Sequence, residues 1–129
     1  MYIKIGFSPS GLEPIFVFWY TTIMDNKKYK ITKDQIKRVI SVKLGVAIAS
    51  DEVMVQGKPI GYMERMALIP EHPEFSGWTF TSGEETQEFL DNPLNSGFYN
   101  LNTIANYDAV IIPYLDSEVG TIIDLSTEA

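Results

Sequence analysis

The sequence predicts a single α+β domain over residues 1–129, with a largely antiparallel β-sheet packed against a few short helices. Three observations support this prediction. Short segments rich in β-branched and aromatic residues recur along the chain, as in strands. Segments with helix-capping residues or one apolar helical face stand between them. The chain has 129 residues, 45% of them hydrophobic, which suits one domain with its own core.

The first 28 residues are predicted to contribute additional N-terminal strands. Residues 1–7 alternate between apolar and polar side chains, which is typical of a strand. Residues 15–23 are β-branched and aromatic throughout, which indicates a buried strand. Turn residues at 8–11 and 25–28 delimit the two strands.

A helix is predicted to follow Thr32, because Thr32 and Gln35 have the spacing of a capping box. Ile36, Val39 and Ile40 then lie on one helical face. Gly45 is the expected end of this helix, since glycine commonly terminates helices.

The middle of the chain is predicted to alternate between strands and turns. Residues 46–49 form a short strand, and residues 53–63 resemble a hairpin that turns at 56–58. Residues 68–73 form a loop. Trp78 and Phe80 alternate with threonines and indicate the next strand.

The C-terminal part is predicted to contain short capped helices between brief strands. Ser82 and Glu85 form a second capping-box pattern, so a helix should extend to about Leu90. Residues 98–101 and 120–125 are expected to be strands.

Two further helical turns and one shared core are predicted nearby. Asn102 is expected to cap a turn through Tyr107, and Asp108 another through Ile112. Large apolar and aromatic residues of this region should share a core. They are Trp78, Phe80, Leu101, Ile104 and Tyr107.

The formal net charge of −7 is distributed unevenly. Residues 1–65 hold all ten Lys and Arg residues and six acidic residues, a net charge of +4. Residues 66–129 hold eleven acidic residues and no Lys or Arg, a net charge of −11. An anionic half repels the phosphates of nucleic acids and membranes and attracts basic partners. We therefore expect neither a nucleic-acid nor a membrane partner, although acids that merely maintain solubility give the same pattern.

The sequence contains no evident catalytic or metal-binding constellation. There is no cysteine, which excludes disulfides, thiol catalysis and Cys-based zinc sites and is consistent with a cytoplasmic protein. His72, the single histidine, lies in a Pro-flanked loop and is interpreted as a surface residue. No phosphate-binding glycine motif, signal peptide or membrane-length apolar run of about 18 residues is predicted. We expect no cofactor, no metal and no catalytic residue.

An acidic cluster is the candidate partner-binding site. Glu84, Glu85 and Glu88 crowd the start of the predicted second helix, and Asp91 follows it. Their spacing does not match a calcium-binding loop. Acids are also favoured early in helices by the helix dipole, so a purely local role remains an alternative to a patch that binds a basic partner.

Asparagines form a second candidate, since Asn102 and Asn106 can either contact a ligand or cap and fix turns. Capping is the favoured interpretation.

Several motifs resemble a known bacterial family. They are Ser76-Gly77-Trp78-x-Phe80-x-Ser82-Gly83-x-Glu85, Asp91-x-Pro93, Leu101-Asn102-Thr103-Ile104-Ala105-Asn106-Tyr107-Asp108 and Ile111-Ile-Pro-Tyr-Leu-Asp116. Through them, residues 29–120 resemble a family first described as a domain of unknown function and later grouped with the immunity proteins of polymorphic toxin systems. The family often has Pro where this chain has Ala109, and the chain lacks its Phe-Glu-Arg-like ending. The motif residues are interpreted as structural.

The resemblance implies a non-enzymatic immunity protein that binds and neutralises a cognate toxin domain in the cytoplasm. If that toxin is a basic nuclease, the anionic half would accelerate association. The alternatives are a generic interaction or regulatory module, as monomer or homodimer, and last a small-molecule-binding or hydrolytic enzyme. A toxin gene beside this one would distinguish the first from the others.

Overall fold

A computed structural model describes residues 27–41 and 44–125 and places five strands in one sheet. The strands are β1 (Val46–Ser50), β2 (Tyr62–Arg65), β3 (Phe75–Thr81), β4 (Ser96–Asn100) and β5 (Ile122–Asp124). Their spatial order is β4-β1-β3-β2-β5. The β1–β3 pair is parallel and the other three pairs are antiparallel. The predicted α+β class with a largely antiparallel sheet is confirmed, while the strands predicted at 1–7 and 15–23 lie outside the described residues.

Short helices connect the strands. The α-helices are α1 (Asp51–Met54), α2 (Gln87–Asp91) and α3 (Leu101–Tyr107). The 3₁₀-helices are Lys33–Gln35, Pro93–Asn95 and Ala109–Tyr114. Among the described residues, none of these helices has the length and apolarity needed to cross a membrane.

The main core lies between one face of the sheet and helices α1 and α3. Trp78 and Phe80 of β3 are fully buried, with ring centroids 6.0 Å apart. Leu101 and Ile104 of α3 are buried against them, and Tyr107 packs on the same cluster. The prediction that these five residues share one core is confirmed.

A glycine bulge interrupts the pairing of the central strand β3 with β1. Val46 pairs with Phe75, but Ile48 pairs with Thr79, so β3 holds extra residues between these positions. Gly77 lies there with φ of +92°, and a Cβ at this position would be 2.6 Å from the carbonyl oxygen of Met66. Because only glycine takes this conformation without strain, Gly77 fixes the bulge.

The helix predicted after Thr32 is wrong beyond its first turn. The side-chain oxygen of Gln35 does accept from the backbone N–H of Thr32, at 2.9 Å. The helical turn nevertheless ends at Gln35. The chain beyond is bonded through its backbone to Asn102 and Asn106 of α3. These tertiary hydrogen bonds override the local helix preference.

The hairpin predicted over residues 53–63 is also wrong, because Gly57 ends a helix instead of turning a hairpin. Gly57 has φ of +77°. Its N–H donates to the carbonyl of Val53 at 3.2 Å, and the N–H of Lys58 donates to the carbonyl of Glu52 at 2.9 Å. The bond from Gly57 to Val53, on a glycine with positive φ, is that of the αL cap found after helix C-termini. Val53 and the adjacent Met54 are both buried, as a helix allows on a core-facing side.

Candidate partner-binding surface

The acidic segment, residues 82–91, connects β3 to the end of α2. The helix begins at Gln87, later than predicted, and Thr86 is its N-cap, accepting from the N–H of Phe89 at 3.1 Å. One of the two predicted capping-box bonds forms, since the N–H of Ser82 donates to Glu85 at 2.9 Å, but the hydroxyl of Ser82 accepts from the N–H of Glu84, at 3.1 Å, and not from that of Glu85. They close a tight loop before α2 and do not begin the helix.

Glu85 is directed into the protein, contrary to its expected place in an exposed patch. Its carboxylate accepts from the hydroxyl of Ser50, from the N–H of Ser82 at 2.9 Å and from the N–H of Gly83 at 3.0 Å. Burial alone would raise the pKa of Glu85, but the Ser50 hydroxyl and the backbone donors outweigh it, and the pKa is lowered. Glu85 is therefore an ionised internal anchor between the loop and β1.

Glu84 is exposed, yet it has a cation partner that the charge distribution along the sequence did not predict. The ammonium group of Lys58 lies 3.1 Å from Glu84 and 3.1 Å from Glu52. The nearly buried Glu52 also accepts from the hydroxyl of Ser82 at 2.7 Å. Hydrogen bonds to Glu52 and Glu84 raise the pKa of Lys58. Lys58 thus connects the basic half of the sequence to the acidic segment.

Glu88 and Asp91 are the members of the predicted patch whose charges remain open to solvent. Both are exposed, and neither forms an ion pair with another described residue. Asp91 accepts from the side-chain amide of Gln87 at 2.9 Å. Glu88 lies in the first turn of α2, where the helix dipole favours a negative charge. Of the four predicted acids, Glu84, Glu88 and Asp91 are thus exposed, whereas Glu85 is bonded to internal donors.

A second ion pair near this segment was missed from the sequence. The ammonium group of Lys27 lies 2.7 Å from Asp51, the first residue of α1, and donates to the carbonyl of Ser96 at 3.2 Å. Burial raises the pKa of Asp51 despite the opposing effect of Lys27.

The start of helix α1 was missed as well. The sequence did contain a helix-start signal there, since Ser50 precedes two acids and an apolar pair, but the glycine turn signal at Gly57 obscured it.

The two asparagines of α3 bind the backbone of a distant segment. The side-chain oxygen of Asn102 accepts from the N–H groups of Val39, at 2.7 Å, and Ile40, at 3.1 Å. That of Asn106 accepts from the N–H of Lys37 at 2.9 Å. Both side chains donate to the carbonyl of Lys37, at 2.9 Å and 2.7 Å.

The predicted capping role of Asn102 is wrong, because the N-cap of α3 is Asn100. The side chain of Asn100 accepts from the N–H of Asn102 at 2.9 Å. Asn102 lies within the first turn of the helix instead, where it is 7% exposed. Its side chain is therefore available for tertiary hydrogen bonds.

Tyr107 and Asp108, at the end of α3, also bond to backbone groups. The hydroxyl of Tyr107 accepts from the N–H of Ile31 at 3.0 Å and donates to the carbonyl of Met54 at 2.7 Å. Burial raises the pKa of Tyr107. Asp108 accepts from the N–H groups of Ile60, at 3.1 Å, and Val110, at 3.2 Å. The predicted capping role of Asp108 is confirmed.

The remaining motif residues lie in or beside the core. The hydroxyl of Ser76 accepts from the N–H of Trp78 at 3.2 Å, and the indole N–H of Trp78 donates to the carbonyl of Leu115 at 3.2 Å. Thr103 is half-buried on α3. His72 lies 3.4 Å from Glu74 in the loop before β3. The described part of the chain contains no group of three or more His, Asp or Glu side chains placed to hold a metal ion.

Comparison with known proteins connects this geometry to a family. The model of a family described as the Immunity protein Imm33 domain matches residues 47–129. No curated protein and no solved structure matches the chain. The matched region contains the described sheet except for Val46, the first residue of β1, together with the acidic segment and α3, whereas residues 31–40 precede it.

Proposed function

Because the chain belongs to the Imm33 family of immunity proteins, we propose that it binds a cognate bacterial toxin domain in the cytoplasm and blocks that domain's active site. The family match over residues 47–129 is the observation that carries this proposal. It includes all five described strands apart from Val46, the first residue of β1. We propose that the surface that meets the toxin lies within this matched region.

The proposed action is binding without catalysis. Glu52 and Glu85, the acids nearest to serine hydroxyls, each accept hydrogen bonds from internal donors. A general base needs a free lone pair directed toward a reacting group in an accessible site. These two carboxylates instead support the loop before α2, which favours a structural role for them.

The acidic segment is proposed as part of the toxin-binding surface. Glu88 and Asp91 are exposed on α2, and Glu84 is exposed in the loop that precedes this helix. A nuclease toxin has a positively charged substrate cleft, which would attract these carboxylates and increase the rate of association. The same negative charge disfavours nucleic acids and anionic membranes as partners of this protein.

Stoichiometry distinguishes a binding protein from an enzyme. The experiment mixes the purified protein with a toxin domain encoded beside its gene and titrates the toxin's activity. We expect inhibition to be complete at about one molecule of this protein per toxin and to coincide with a stable complex on gel filtration. Full inhibition at a small fraction of that ratio would indicate catalytic inactivation and contradict the proposal. Absence of both inhibition and complex would reject that toxin as the partner.

A further inference from the structure

The strap, residues 28–38, is the part of the described chain in which positive charge is concentrated. It contains five Lys or Arg residues against one acid, a net charge of +4, in a protein whose net charge is −7. All five cations are exposed, and they are Lys28, Lys30, Lys33, Lys37 and Arg38. The strap therefore presents a positive strip on the surface of an acidic protein.

The strap's cations differ from two half-buried lysines nearby, both of which have carboxylate partners. Lys27 lies 2.7 Å from Asp51, and Lys58 lies 3.1 Å from both Glu52 and Glu84. None of the five strap cations forms an ion pair with a carboxylate of the described residues. The described chain thus neutralises its less exposed lysines and leaves the positive strip open to solvent.

The strap is attached to the fold through backbone groups and apolar side chains, which leaves its cationic side chains uncommitted. The N–H of Ile31 donates to the hydroxyl of Tyr107 at 3.0 Å, and the N–H of Lys37 donates to the side chain of Asn106 at 2.9 Å. Tyr29 packs against the main core. The cations therefore extend from a backbone whose position is fixed, which lowers the entropy lost when they bind a partner.

One end of the strap borders the acidic segment at residues 57–58. The N–H of Lys30 donates to the carbonyl of Met54 at 2.9 Å. The side chain of Lys30 covers Gly57, because a Cβ at Gly57 would lie 2.9 Å from the Cγ of Lys30. The next residue, Lys58, forms the ion pair with Glu84 of the acidic segment. A positive and a negative region are therefore adjacent on the surface of the protein.

This border between charges of opposite sign determines what kind of partner fits the strap. A nucleic acid or an anionic membrane at the strap would bring its phosphates close to the exposed Glu84, and like charges repel. A protein surface can place carboxylates opposite the strap and basic residues opposite the acidic segment. The two adjacent regions therefore fit a protein with an acidic patch beside a basic one better than a uniformly charged partner.

We propose that the strap is a second contact region for the protein partner, in which its five exposed cations bind carboxylates of an acidic patch on that partner. This inference rests on the proposed function, since the partner is the toxin domain that meets the acidic segment. The strap adds a contact of opposite sign, and it lies outside residues 47–129, which the family model matches. It thereby distinguishes the cognate toxin from basic domains that lack the acidic patch.

Carbodiimide cross-linking of the full chain, mixed with the toxin domain encoded beside its gene, tests the contact directly. The reagent joins an amine to a carboxylate that touches it and leaves no spacer. We expect mass spectrometry to find links between strap lysines and Asp or Glu residues of the toxin. The Lys58–Glu84 pair, at 3.1 Å, is the internal positive control. In Lys33→Arg with Lys37→Arg, links at these two positions should disappear while inhibition of the toxin is kept, because arginine keeps the charge.

Association rates at low ionic strength separate a contact from an effect of net charge. Lys33→Gln with Lys37→Gln makes the protein more negative by two charges. Val110→Glu with Val119→Glu makes the same change at exposed positions elsewhere and is the matched control. A basic toxin that responds only to net charge would associate faster with both variants. We expect the lysine variant to associate several-fold more slowly than wild type and the valine variant not to, with thermal melts verifying that both fold.

A lysine variant that associates as fast as wild type, or faster, would overturn the proposal. So would a complex in which the Lys58–Glu84 link forms but no strap lysine is linked to the toxin. In both cases a stable complex and full inhibition at one molecule per toxin would remain, so the proposed function would stand without the strap contact. Absence of any complex with this toxin would overturn both proposals for it.

Discussion

The acidic segment and helix α3 both carry polar side chains but use them differently. In the acidic segment, Glu85 is bonded inward while Glu88 and Asp91 remain exposed. In α3, Asn102 and Asn106 both bond to the backbone of a distant segment. Carboxylates in solvent act over distance and depend on salt, whereas aligned amides act only on contact. The first region is suited to attracting a charged partner and the second to holding a polypeptide chain in place.

The largest effect on stability is expected at Asp108, which follows the last residue of α3. Asp108→Ala removes the acceptor of two backbone N–H groups, including that of the buried Ile60, and removes an N-cap. Unfolding free energy should fall by about 2–4 kcal/mol, from an unsatisfied buried donor and a lost cap. Urea denaturation provides the measurement, with exposed Asp116→Ala as control. A loss no larger than that of Asp116→Ala would show that Asp108 is not an internal anchor.

An intermediate effect on stability is expected at Glu85. This acid of the acidic segment, like Asn102 of α3, accepts hydrogen bonds from inside the protein. Glu85→Gln keeps the side chain's size but removes the charge that accepts from Ser50, Ser82 and Gly83. We expect a loss of about 1 kcal/mol at pH 7, since charge-assisted hydrogen bonds are weakened by partial exposure to solvent.

The pH dependence of this difference identifies its cause. The folded-state pKa of Glu85 lies below the usual 4.5, so its contribution is fully present above that pH and is lost as pH falls through the folded-state pKa. The stability difference between wild type and Glu85→Gln should therefore be constant from neutral pH to about 5.5 and shrink on further acidification. Asp51 has a raised pKa, so its effect on the pH dependence of stability has the opposite sign to that of Glu85. This effect is the same in wild type and Glu85→Gln, and it therefore cancels in the difference. A pH-independent difference would assign the loss to packing.

The smallest effect on stability, but the clearest on binding, is expected for Glu88→Lys with Asp91→Lys. Both carboxylates are exposed, so unfolding free energy should change by about 0.5 kcal/mol or less. Association with a basic toxin domain should slow several-fold at low salt and depend less on ionic strength. Asp116→Lys with Glu118→Lys makes the same charge change at other exposed positions. If this control slows association equally, only net charge matters and the proposed patch is wrong.

Local patterns in the sequence predicted much of the fold. The strand over residues 46–49 and the alternation of Trp78 and Phe80 were correct, since burial on a sheet leaves a direct apolar signature. The cap at Asp108 was also correct, because an Asp side chain that bonds to the N–H two residues later requires no distant partner.

The errors arose where a distant residue or an ambiguous glycine decided the structure. Thr32 begins a capped turn, but Asn102 binds the chain a few residues later and prevents a longer helix. Gly57 supplies positive φ, which serves equally well in a hairpin and at a helix end.

Charge was misjudged for the same reason. Lys58 and Glu84 are 26 residues apart in the sequence, yet their charged groups lie 3.1 Å apart. A division of the sequence into basic and acidic halves is therefore not a division in space. Whether the acidic segment contacts a partner stays a prediction.

The strand order has a consequence for how the newly synthesised chain acquires its structure. The central parallel pair joins residues 46–50 to residues 75–81, and β4 completes that side of the sheet by residue 100. β5, by contrast, contains the last residues of the sheet and pairs only with β2 among the described strands. Because chains emerge from the ribosome N-terminus first, β5 is the last strand of the described sheet to become available for pairing.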